Sequence, residues 1–173
     1  GVSRLVSAII EQNNDAEDDP FLWTYDWTPS SDGVYDIKAE ATDDAGNTEI
    51  GGPTVENVTY DATNPTGAWV TPAADSTVHG IVALEVSASD DTAGIKDVKF
   101  QYKRNDGADT FHDIATDSES PFTANWNTTG LILDAYTLKA IITDKAGNFV
   151  EKTRTVSVAA VVSGESGVGA STE

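Results

Sequence analysis

Tyr136-Thr137-Leu138-Lys139-Ala140-Ile141-Ile142-Thr143-Asp144-Lys145-Ala146-Gly147-Asn148 is the stretch whose reading decides the fold. Tyr136, Leu138, Ala140 and Ile142 alternate with Thr137, Lys139, Ile141 and Thr143, the period of two that gives a β-strand one apolar face. The strand then meets Asp144, whose side chain can accept from nearby backbone N–H groups, and Gly147, which can take the positive φ of a hairpin turn. The same pattern stands 101 residues earlier, where Tyr35, Ile37, Ala39 and Ala41 lead into Thr42-Asp43 and Ala45-Gly46-Asn47. Without a gap, that offset also pairs Pro20-Phe21 with Pro121-Phe122, Lys38-Ala39 with Lys139-Ala140 and Thr54-Val55 with Thr155-Val156. Two copies of one module are present.

Upstream of Pro20 the offset falls from 101 to 93, aligning Gly1-Val2 and Leu5 with Gly94-Ile95 and Val98. The second copy therefore carries eight extra residues in one surface loop. Its segment 66–93 has no counterpart in the first copy. Alternation recurs in Ile81, Ala83, Glu85 and Ser87 against Val82, Leu84, Val86 and Ala88, and again in Val98-Lys99-Phe100-Gln101-Tyr102-Lys103. No stretch sustains a period of 3.6, so the chain is all-β. In the second copy the pattern predicts strands over 68–71, 81–89, 95–103, 111–115, 122–127, 135–143 and 149–157. Seven short strands in roughly 93 residues is the pattern of an immunoglobulin-like sandwich. The expected fold is two tandem immunoglobulin-like β-sandwiches, the first lacking its N-terminal two strands. The domains are then a partial one over 1–60, a complete one over 61–160, and a flexible tail over 161–173, rich in Ser and Gly. A sandwich without its front strands exposes an apolar face and an open edge. Three origins fit: a boundary inside a longer array, cleavage before Gly1, or strands supplied by another chain.

The residues resemble a known family, the bacterial and archaeal immunoglobulin-like repeats that stand in tandem on surface proteins and in large secreted enzymes. The resemblance rests on Asp61-Ala62-Thr63-Asn64-Pro65-Thr66, Ser89-Asp90-Asp91 before Gly94-Ile95, Pro121-Phe122, Trp126-Asn127-Thr128-Thr129-Gly130, and Thr143-Asp144-Lys145-Ala146-Gly147-Asn148. It covers almost all of 64–159, and its last part recurs in the first copy. It implies a fold and an extracellular or cell-surface setting, and no reaction.

Composition narrows the functions further. With 10 Lys+Arg against 29 Asp+Glu, the formal net charge is -19. That charge repels phosphate backbones and anionic headgroups, which argues against nucleic-acid and membrane-surface partners. A polycation or a divalent cation stays open as a partner. Cysteine is absent, which removes disulfides, thiolate nucleophiles and zinc-thiolate sites. The longest apolar run, Val158-Ala159-Ala160-Val161-Val162, falls far short of the roughly 18 residues that cross a bilayer as a helix. His79 and His112 are far apart, and no Gly-x-Ser-x-Gly is present. The expectation is that the chain is not an enzyme.

Two groups are candidate sites. Phe21, Trp23, Tyr25 and Trp27 recur at every second position, so their rings share one side of a strand. They form either a carbohydrate-stacking platform or a core face, and the aligned Phe122 and Trp126 favour the core. Trp27, aligned with Thr128 at the strand's end, is the exposed carbohydrate candidate. The second group is acidic. In an immunoglobulin-like module the entry linker, the loop after the second strand and the last hairpin gather at one end. Asp61, Asn64, Asp90, Asp91, Asp144 and Asn148 would then meet at the junction between copies, as hard oxygen ligands that suit Ca²⁺. The alternative is a solvated acidic surface with Asp as a turn-former. Asn57-Val58-Thr59 and Asn127-Thr128-Thr129 also match the glycosylation acceptor pattern.

The function expected is that of a structural and adhesive module of a prokaryotic extracellular protein: a stalk, spacer, surface-layer or filament segment. Its partners would be other immunoglobulin-like repeats or a strand-donating chain completing residues 1–60. The alternative is an accessory substrate-binding module of a large secreted hydrolase.

Overall fold

The computed structural model describes residues 4–6, 26–43 and 45–160, and every regular element among them is a strand. The first module contributes β1 (Arg4–Val6), β2 (Gly33–Lys38) and β3 (Thr54–Tyr60). The second contributes β4 (Thr66–Thr71), β5 (Thr77–Val78), β6 (Ile81–Ser89), β7 (Ile95–Arg104), β8 (His112–Asp117), β9 (Phe122–Asn127), β10 (Ala135–Asp144) and β11 (Phe149–Val158). β10 is the strand read first from the sequence, and its residues alternate strictly between half-buried and buried along all ten positions.

In the second module the order β4-β6-β9 forms one sheet and β5-β11-β10-β7-β8 the other. Apolar faces of the two sheets meet in one core. Val98, Phe100, Leu138, Ala140, Ile142 and Val156 are fully buried from the larger sheet, and Leu84, Val86, Phe122 and Trp126 close over them from the smaller one. Aromatic rings tie the layers edge to face, with Trp126 to Tyr136 at 5.6 Å and Trp69 to Phe100 at 5.8 Å between centroids, an arrangement that complements the ring quadrupoles. Gly67 on β4 lets the layers approach, since a Cβ there would lie 2.5 Å from a methyl of Ile142 and from the Ser87 carbonyl oxygen. The result is an immunoglobulin-like sandwich, as the strand spacing predicts. The two-residue β5 and the start of β8 at His112 differ from the expected pattern. Short edge segments carry too few side chains to leave a periodic signal.

The repeat is visible in bonds as well as in letters. The Tyr136 hydroxyl donates to the Ile132 carbonyl at 3.0 Å, and the Tyr35 hydroxyl donates to the Ser31 carbonyl, four residues back in both copies. Asp43 and Asp144 each accept from the backbone N–H and the side-chain amide of an Asn four residues on. Gly46 and Gly147 both take positive φ, 85° and 99°, as the turn requires.

The first module departs from the second in two ways. Leu138 pairs with Arg154, whereas its counterpart Ile37 pairs with Val55, two positions beyond what the ungapped repeat gives. Pro53 has no N–H to continue the ladder, and the Gly51-Gly52 pair lets the chain loop out with Ile50 at 99% exposure. Second, β1 runs parallel to β2, while β7, aligned with it in sequence, runs antiparallel to β10. A three-residue strand makes few bonds, and no facing sheet among the described residues fixes its direction or register. Of the first module's described apolar side chains, only Tyr35 is fully buried.

Equivalent strands should therefore differ in sensitivity. Val156→Ala, at a fully buried side chain, is expected to destabilise the second module by about 1–3 kcal/mol, whereas its counterpart Val55→Ala, at a side chain 60% exposed, should stay within about 0.5 kcal/mol. Urea unfolding followed by tryptophan fluorescence measures both. Equal costs would contradict the assignment of the core to the second module.

Candidate functional site

The turn after β10 is also where the second module meets its entry linker. Asp144, fully buried, accepts at Oδ1 from the N–H groups of Gly147 (2.7 Å) and Asn148 (2.8 Å), and at Oδ2 from the Asn148 amide at 2.8 Å. That amide nitrogen donates a second bond, 3.1 Å long, to the backbone carbonyl of Asp61. The linker thus lies over the hairpin. The Asp61 side chain in turn accepts from the N–H groups of Thr63 (3.0 Å) and Ala93 (3.1 Å). Asp90 caps the β6–β7 loop by accepting three N–H groups, from Thr92, Ala93 and Gly94, on one oxygen. Carboxylate oxygens of Asp61, Asp90 and Asp144 come within 4.8 Å of one another, the one such acidic or histidine group among the described residues.

Of the six residues expected here, three converge. Asn148 is adjacent but presents its N–H₂ rather than its oxygen, as just described. Asn64 and Asp91 are exposed and, with Asp90, line a neighbouring shallow hollow of about 290 Å³. In the first module the matching Asp43 is exposed, because among the described residues nothing equivalent to Asp61 or Asp90 covers it. Asn47 hydrogen bonds hold the Asp43 carboxyl below its ordinary pKa. Burial, ahead of the charges of Asp90 and Asp144, pushes the Asp61 carboxyl up. Folded Asp61 therefore binds its proton more tightly than unfolded Asp61. Its contribution to stability is present in acid and is lost as pH rises through the raised value.

Asp32 was not singled out by the sequence. Its carboxylate accepts from the Ala62 N–H at 2.9 Å and from the Thr63 hydroxyl, so the first module grips the same linker residues that the second holds. No motif marks Asp32, because its partner is a backbone group 30 residues away. Phe21, Trp23 and Tyr25 lie outside the described residues. Trp27 is half-buried, with its ring edge-on to Tyr35 at 4.8 Å and 77°.

Both copies match known families. Residues 65–140 match the bacterial Ig domain family, and residues 19–50 match a bacterial Ig-like domain family. These are bacterial immunoglobulin-like repeats. Neither family brings a catalytic assignment, and no curated protein matches the chain. Among solved structures, the repeats are similar to an engineered protein (24% identity, TM-score 0.42). They are also similar to the endo-beta-1,4-mannanase from Thermotoga petrophila (12%, 0.44) and to fibronectin(III)-like modules of Clostridium thermocellum CbhA (20%, 0.44). The alignments cover 56%, 57% and 76% of this chain respectively. The chain spans 20% of the engineered protein, 20% of the mannanase and 64% of the CbhA modules.

Three carboxylates this close repel one another unless protons, N–H groups or a cation offset the charge. Asp90→Asn keeps an oxygen for the three N–H groups and removes one charge. In metal-free repeats at neutral pH it is expected to raise stability by on the order of 1 kcal/mol, read as a higher melting temperature. A calcium-induced rise in the wild type that vanishes in Asp90→Asn would assign the cluster to an ion. Superimposable wild-type melts in calcium and in chelator would leave the N–H groups as the counterweight.

Proposed function

We propose that these immunoglobulin-like repeats are a non-catalytic spacer segment of an extracellular or surface-displayed protein, of stalk, surface-layer or filament type. The observation that carries this reading is the linker. Residues 61–63 are bonded to Asp32 of the first module and to Ala93 and Asn148 of the second, so no free segment separates the two. A chain built of such joints transmits orientation from one repeat to the next. The heavily acidic surface supports the same role, since self-repulsion keeps neighbouring stalks apart. Further repeats, or a chain donating strands to residues 1–60, are the partners this reading calls for.

Because the chain has no cysteine, two can be introduced for spin labels, at the exposed Val55 and Ile81. Pulsed electron paramagnetic resonance is expected to give one narrow distance distribution, broadened by Asp32→Ala. A broad distribution in the parent protein would contradict the spacer.

A further inference from the structure

The eight residues by which the second copy exceeds the first fall between Val98 and Pro121, and the longer loop in that interval is 105–111. A spacer has no need of this insertion. The loop and the turn at 130–132 wall a hollow of about 440 Å³, lined by the rings of Tyr102, His112 and Tyr136. It is wide open to solvent, a trough that a ligand would lie along rather than enter.

The loop is held in shape from within. Asp109 accepts from the Arg104 N–H at 2.8 Å and bonds the His112 ring at 2.8 Å. Asp106 accepts from the N–H groups of Ala108 (3.0 Å) and Asp109 (2.9 Å), and pairs with the Arg104 guanidinium through its other oxygen. The floor is equally fixed, since Tyr102 packs on Trp126 and on His112, each at 5.3 Å between centroids. Several groups are left over for a ligand. The Tyr102 hydroxyl, the Nδ1 of His112 and the remaining guanidinium N–H groups of Arg104 have no protein partner among the described residues, and Asp106 Oδ2 retains lone-pair capacity.

These leftovers define a chemistry. Two carboxylates against one guanidinium disfavour an anion, and the carboxylates are spent on N–H groups rather than converging on a cation. Donors and an acceptor interleaved with aromatic surface suit a molecule that alternates hydroxyls with C–H faces. We propose that this hollow binds a neutral oligosaccharide, one sugar ring lying against Tyr102 and His112 with its hydroxyls on Arg104 and Asp106. The site is independent of the spacer reading, which rests on the linker at the opposite end of the sandwich.

The test is a titration of the full ¹⁵N-labelled chain with neutral cello-, manno-, xylo- and chito-oligosaccharides, followed by amide chemical shifts. Saturable shifts are expected at 104–112 and 130–132. Arg104→Gln and His112→Ala should each weaken the response about tenfold or more, while the amide shifts of the opposite end, at 61–63 and 144–148, stay as in the parent protein. The proposal is overturned by the absence of any saturable shift, by shifts that map elsewhere, by shifts undiminished in both variants, or by a response to acidic oligosaccharides alone.

Discussion

Asp144 is the constraint on which the rest of the second module depends. A carboxylate with no solvent exposure is costly unless its oxygens are bonded, and here the hairpin's own N–H groups and Asn148 supply those bonds. Satisfying Asp144 closes the turn between β10 and β11, which sets the register of these two ten-residue strands. Through the second bond of the Asn148 amide the same group fastens the entry linker. One turn thus serves folding within a module and attachment between modules.

The two copies separate those roles. In the first module the hairpin closes in the same way, yet Asp43 stays in water because no linker covers it among the described residues. The turn sequence therefore does not require burial. What turns it into a joint is the arrival of Asp61 from one side and of the Asp90 loop from another. The cost of that arrangement is the burial of Asp61, which, ahead of the charges of Asp90 and Asp144, pushes its carboxyl up.

Much of this was legible in the residues. The alternation of 136–143 marks β10 and its buried face, and the repeat of Thr-Asp-x-Ala-Gly-Asn marks both hairpins and the Asp that accepts backbone N–H groups, though not the bonds from the Asn side-chain amides. The convergence of Asp61, Asp90 and Asp144 followed from knowing which loops of a sandwich share an end. Asn64 and Asp91 fell outside it because loop residues one to three apart point in directions that no period fixes. The shifted register of β3 was hidden by an ungapped alignment, since Gly51-Gly52 and Pro53 change the ladder without changing the spacing of letters. Asp32 acts on backbone N–H and a hydroxyl brought near only by the fold. The hollow beside 105–111 announced itself only as an insertion, and its lining comes from β7, the 105–111 loop, β8, the 130–132 turn and β10.

The account's central claim is that the linker is held by the same network that closes the hairpin. Native-state hydrogen exchange measures it directly. The amides of Thr63 and Ala93, bonded to Asp61, should be protected like those of Gly147 and Asn148, and Asp144→Ala should lower protection at all four together. Loop-like exchange at Thr63 and Ala93, with Gly147 and Asn148 still protected, would contradict it.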